Sequence, residues 1–63
     1  MKVYHLNDPY FTFKVGDLVI FFGGGLGLVT GFDKEWDPIV YWFTENVEGA
    51  CYKEDVKLLS RNE

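Results

Sequence analysis

The sequence predicts an all-β domain folded as a small five-stranded barrel, and three observations carry that reading. The apolar blocks are only as long as strands, the longest being residues 18–22 and 39–43. They are rich in β-branched and aromatic residues and are bounded by glycine, proline and acidic turn residues. No segment sustains the 3.6-residue apolar period of a helix. Five such strands in 63 residues hide their edges most simply by closing on themselves.

Residues 1–13 read as an N-terminal arm. Asn7-Asp8-Pro9 is a turn signal, because proline fixes its own φ and pushes the residue before it out of the helical region. Tyr10, Phe11 and Phe13 are expected to lie over the barrel and close one end. The barrel itself is assigned to residues 14–60. After the turn Lys14-Val15-Gly16-Asp17, residues 18–22 form the first strand. Gly23-Gly24-Gly25 must be a turn, since three glycines cannot pack a core and lose much entropy inside an element. Residues 26–32 form the second strand, in which Gly27 and Gly31 mark a bulge or tight bend. Residues 33–38 have the acidic and proline signature of a surface turn. Residues 39–44 are the clearest strand, 45–49 a polar loop, and 50–52 a short fourth strand. Lys53-Glu54-Asp55 suits one turn of 3-10 helix, residues 56–59 the last strand, and residues 61–63 a frayed tail.

A domain of about 60 residues buries only roughly 60% of its unfolded surface. Two Trp, four Tyr and six Phe compensate, each ring burying roughly 150–250 Å². The single cysteine, Cys51, cannot form an internal disulfide and fits a reducing compartment. The first nine residues lack the apolar run of a signal peptide, and no stretch is long enough for a membrane helix. The expectation is a soluble cytoplasmic protein. Ten acidic and six basic residues give a net charge of −4. That balance opposes free-standing nucleic-acid binding, which needs cations against phosphates, and suits a basic protein partner.

The order Val15-Gly16-Asp17-Leu18-Val19, Gly27-Leu28-Val29-Thr30-Gly31, Ile39-Val40-Tyr41-Trp42, and Tyr52 ahead of Glu54-Asp55-Val56-Lys57-Leu58-Leu59 resembles the SH3-like barrels of the KOW, Tudor and chromo kind. It also resembles small bacteriophage and bacterial proteins of unknown role. The resemblance covers roughly residues 14–60 and implies an SH3-like barrel. Such barrels host many activities, so it implies a binding module without naming a ligand. The phage likeness implies an accessory protein acting on a host or viral protein, in the host cytoplasm if the source is viral. Two departures stand out. RNA-binding members are basic in the loops, where this chain has Asp33, Glu35 and Asp37, then Glu45 and Glu48. Readers of methylated lysine carry an aromatic cage that no set of positions here maps onto.

Catalytic and metal motifs fail on detail, so no enzyme activity, metal or cofactor is expected. The run from Gly23 to Gly27 lacks the Gly-Lys-Ser/Thr of a phosphate loop, and no helix follows it. Asp33, Glu35 and Asp37 alternate like the start of an EF-hand loop, but Pro38 and Thr44 occupy the positions that need Gly and Glu. Cys51 and His5 have no third member to orient them as nucleophile and base, and two ligands cannot hold zinc.

What remains is an excess of aromatic residues. Along residues 39–43 both strand faces are apolar, with Ile39, Tyr41 and Phe43 opposed to Val40 and Trp42. Residues 18–22 repeat the pattern, while a barrel strand needs only one apolar face. The arm could cover the surplus, or it could bind a partner. The function expected is a small non-enzymatic protein-interaction module. Its contact set is Trp36, Tyr41, Phe43 and Tyr52 with Asp33, Glu35 and Asp37. The alternatives are a nucleic-acid-associated module using Lys53, Lys57 and Arg61 with stacking aromatics, and a homo-oligomeric structural component.

Overall fold

A computed structural model describes residues 12–61. The predicted arm therefore lies outside the described residues except for Thr12 and Phe13. Five strands form one antiparallel sheet: β1 (Leu18–Phe21), β2 (Leu26–Phe32), β3 (Pro38–Trp42), β4 (Val47–Ala50) and β5 (Val56–Ser60). A single 3-10 turn, η1 (Lys53–Asp55), precedes β5. The spatial order is β4-β3-β2-β1-β5. No helix among the described residues is long and apolar enough to cross a membrane.

The predicted closure into a barrel is corrected: β4 and β5 are free edges and the sheet stays open. β4 has only four residues, and the chain then crosses to the far edge through Cys51, Tyr52 and η1. Residues 51–55 thus stand where closure would require ladder hydrogen bonds. The fourth strand is also displaced, lying at Val47–Ala50 instead of residues 50–52. Its register is set by Asn46, which adopts a left-handed φ of 57° and donates its backbone N–H to the Trp42 carbonyl at 2.8 Å. Asn tolerates that conformation better than most residues, so the chain reverses at once and Val47 pairs with Trp42.

The sheet curls around a small core. Val19, Val29, Val40 and Val56 are fully buried, one from each of β1, β2, β3 and β5, and Phe13 joins them. Val29 lies opposite Val40 in the ladder. A bulge between Val29 and Gly31 bends β2 where the glycine pattern predicts it. At Gly27 a Cβ would sit 2.8 Å from the Tyr41 carbonyl and 2.9 Å from the Trp42 ring. Only glycine lets β2 and β3 approach so closely at that point.

A carboxylate closes the structure at the start of β1. Asp17 is 1% exposed and accepts four hydrogen bonds in all. Its side chain takes Arg61 Nε at 2.9 Å, Arg61 Nη2 at 2.8 Å and the Lys14 backbone N–H at 2.8 Å. Its carbonyl takes the N–H of Val29 at 2.9 Å. Arg61 also donates to the Thr12 carbonyl at 2.9 Å, so the residue just past β5 is held in place. Removing one partner of a buried ion pair leaves a desolvated charge, at a cost of about 3–5 kcal/mol. Asp17→Ala and Arg61→Ala are each expected to destabilise by about 3 kcal/mol. Urea denaturation of both variants and the double variant should give a coupling of at least ~1 kcal/mol, and additive losses would show that the pair is not a unit.

A candidate acidic and aromatic binding site

The β2–β3 connection builds one wall of a pocket. Asp33 Oδ1 accepts the backbone N–H groups of Glu35 at 2.9 Å and Asp37 at 3.0 Å. The Asp33 carbonyl accepts from Trp36 at 3.1 Å. An Asp at the first position closes a turn in this way, and the closure spaces the carboxylates of residues 33, 35 and 37 around the loop. Trp36 has a φ of 65°, a conformation that costs a residue with a Cβ about 1–2 kcal/mol. Its indole packs on Phe32, with ring centroids 6.1 Å apart, yet remains 74% exposed.

The opposite wall comes from the segment between β4 and β5. Cys51 donates its backbone N–H to the Pro38 carbonyl at 3.0 Å, which fixes residues 50–52 against the start of β3. Together the walls flank an open concavity of about 650 Å³, lined among the described residues by Asp33, Lys34, Glu35, Asp37, Ala50, Cys51, Tyr52 and Asp55. That is within the ordinary size range of ligand pockets. Four carboxylates face one ammonium there, so the pocket favours cations. Among the described residues no group of His, Cys, Asp and Glu is gathered closely enough to hold a metal ion.

Of the seven residues expected to make contacts, Asp33, Glu35, Asp37 and Tyr52 line this pocket. Trp36 caps the same loop without lining it. Tyr41 and Phe43 lie elsewhere, on the outer face of the sheet, where their rings meet at 5.8 Å in an edge-to-face pair. Tyr41 also donates its hydroxyl to Asn46 Oδ1. That outer face is apolar: Leu26, Leu28 and Phe43 are exposed, and Leu18, Ile20 and Tyr41 are half-buried. Asp55 and Cys51 escaped the sequence reading of the site, because only the crossing after β4 brings them to the loop. His5 lies outside the described residues.

Two of the cationic set Lys53, Lys57 and Arg61 have partners of their own. Arg61 is committed to Asp17, and Lys57 Nζ sits over the Phe22 ring, 5.8 Å from its centroid.

Comparison with family models, with curated proteins and with solved structures returns no match.

The Cys51 thiol is pushed up to about 11, chiefly by burial and then by the negative charges of Asp55 and Asp37. A two-unit rise above the ordinary value of 9.0 lowers the thiolate fraction at pH 8 about a hundredfold. Iodoacetamide at pH 8 is therefore expected to alkylate the folded protein about tenfold more slowly than the urea-unfolded chain, the smaller thiolate fraction being partly offset by its greater nucleophilicity, and Asp55→Asn should speed the folded reaction. Because the folded form favours the neutral thiol, its contribution to stability is complete below pH 9 and is lost as pH rises toward 11.

Proposed function

We propose that this chain is a non-enzymatic SH3-like interaction module whose acidic pocket takes a basic segment of a protein partner. The strand order β4-β3-β2-β1-β5 and the 3-10 turn ahead of the last strand support the SH3-like reading. The observation that carries the function is the pocket, where Asp33, Glu35, Asp37 and Asp55 surround a cavity edged by Tyr52. Exposed Trp36 stands on the same loop. A partner's Lys or Arg gains there from charge, and its stem gains from the aromatic flank. The phage likeness of the sequence makes a host or viral protein the partner class. A nucleic acid suits the site poorly, because Arg61 is already engaged with Asp17 and the loops carry negative charge.

Titration of ¹⁵N-labelled protein with decalysine and with decaglutamate tests the reading. Decalysine is expected to shift the amides of residues 33–37 and 51–55, weakening as salt rises, and decaglutamate to shift none. Glu35→Gln with Asp55→Asn should weaken decalysine binding about tenfold. Trp36→Gly, which relieves the positive φ, should weaken it without destabilising the fold. Shifts spread evenly over all carboxylates, unaffected by these variants, would refute the site.

The outer face favours a second reading, a homo-oligomer. Leu26, Leu28 and Phe43 stand exposed beside Leu18, Ile20 and Tyr41, and a contiguous apolar patch marks an interaction surface. Light scattering at two concentrations and two salt levels decides between them. A dimer that persists in high salt and is lost in Phe43→Glu supports self-association, and a monomer of about 7 kDa throughout excludes it.

A further inference from the structure

The outer face of the sheet carries a carboxylate at one edge and an ammonium at the other. Val19, Val29, Val40 and Val56 face the core, so strand alternation turns Leu18, Ile20, Leu28, Tyr41 and Lys57 to the opposite side. The ladder registers align that side in two rows across the strands. In the first, Glu48 of β4 lies beside Tyr41 of β3, then Leu28 of β2 and Leu18 of β1. In the second, Leu26 of β2 lies beside Ile20 of β1, then Lys57 of β5. Phe43 joins the second row by donating its backbone N–H to the Leu26 carbonyl at 3.0 Å.

Both charges have contacts on their own face. Glu48 Oε2 accepts the Thr30 hydroxyl at 2.7 Å, and Lys57 Nζ lies over the exposed Phe22 ring. Between them the rows are apolar. They are also asymmetric: the aromatic side chains stand on β3, to one side of the central strand β2, and the aliphatic ones on β1, to the other.

This pattern complements itself. Two such faces pack with their strands within about 30° of each other. A twofold axis along the strands lays β3 of one copy over β1 of the other, so that Tyr41 and Phe43 meet Leu18 and Ile20. It also lays β4 over β5, with Glu48 of each copy one two-residue step, about 7 Å, from Lys57 of the other. The flexible four-carbon stem of lysine spans that step. A twofold axis across the strands would instead set β4 over β4, carboxylate against carboxylate, and aromatic rings against their own copies. Resting on the reading of the outer face as a self-association surface, we propose that two copies pack these faces with strands aligned and β4 over β5, closed at both edges by reciprocal Glu48–Lys57 ion pairs. Five strands about 4.8 Å apart and about five residues long give a footprint of roughly 400 Å². That is half of what each partner gives to an interface of standard size, roughly 800 Å², so the dimer is weak and fills at about 100 μM and above.

Sedimentation equilibrium of the full chain from about 10 μM to 1 mM tests the arrangement, with Glu48→Lys, Lys57→Glu and the variant carrying both. By symmetry each single change turns two attractive contacts into repulsive ones. Each is expected to raise the dimer Kd about tenfold, and the double variant, with the pairs reversed, to return it to the wild-type value. The amide spectrum of each free variant confirms that it folds. A dimer that Phe43→Glu dissolves but that is unmoved by the single charge changes, or is weakened by them without recovery in the double variant, overturns this arrangement and spares self-association through the outer face. Monomers at every concentration overturn both.

Discussion

The fold hangs on a single buried carboxylate. Among the described residues the core is four valines and one phenylalanine, and without a disulfide a chain this short has little apolar burial to spare. Asp17 makes up the deficit through connectivity. Its side chain gathers the guanidinium of Arg61 and the N–H of Lys14, and its carbonyl receives Val29. These contacts join the turn before β1, the end of β5 and the middle of β2. Arg61 extends the set to Thr12, beside the core residue Phe13. A buried charge is tolerated only when its lone pairs are filled, and among the described residues no buried side-chain polar atom lacks a partner.

The clasp fixes the end of β5 beside the start of β1, while among the described residues β5 and β4 are not paired. Five residues, 51–55, bridge the gap, and they do so as a crossing instead of a strand. Cys51, Tyr52 and Asp55 of that crossing line the acidic pocket. Incomplete closure, which costs stability by leaving two strand edges unpaired, thus creates the concave surface on which the candidate site lies.

Much of this was legible locally. Strand β2 bulges just before Gly31 and lies close against β3 at Gly27, because absent side chains are a direct record of bulging and close approach. Lys53-Glu54-Asp55 read as a 3-10 turn for similarly local reasons. The displacement of β4 arose because Val47-Glu48-Gly49 has the composition of a loop. The decisive signal was Asn46, which can turn the chain at positive φ where Gly49 does not. Glu48, polar and exposed, sits in an edge strand and accepts a hydrogen bond from Thr30 at 2.7 Å. Closure and the Asp17–Arg61 pair lay beyond local pattern, since the two residues are 44 apart in sequence. The site divided in the same way. The three loop carboxylates were visible as a cluster, whereas Asp55 and Cys51 join them only through the path of the chain.

The sign of the pocket's field can be argued from Cys51 itself. Desolvation opposes any charge, positive or negative, and is the largest reason that its thiol stays protonated. The contributions of Asp55 and Asp37 are different in kind, because they oppose only an anion. An ammonium or guanidinium at that position would be attracted by both carboxylates, while desolvation would still oppose it. A cation entering the pocket is therefore favoured by the field to the extent that it keeps water or finds hydrogen bonds. Arg meets that condition better than Lys at a partly dry site, because its guanidinium is less strongly hydrated and presents five donors to carboxylates on several sides. Its planar face can also lie along Tyr52, which Lys uses less well. The geometry of the loop reinforces this preference: Asp33 Oδ1 is already held by two backbone N–H groups, so its charge stays fixed when a partner arrives, and little ordering remains to oppose binding.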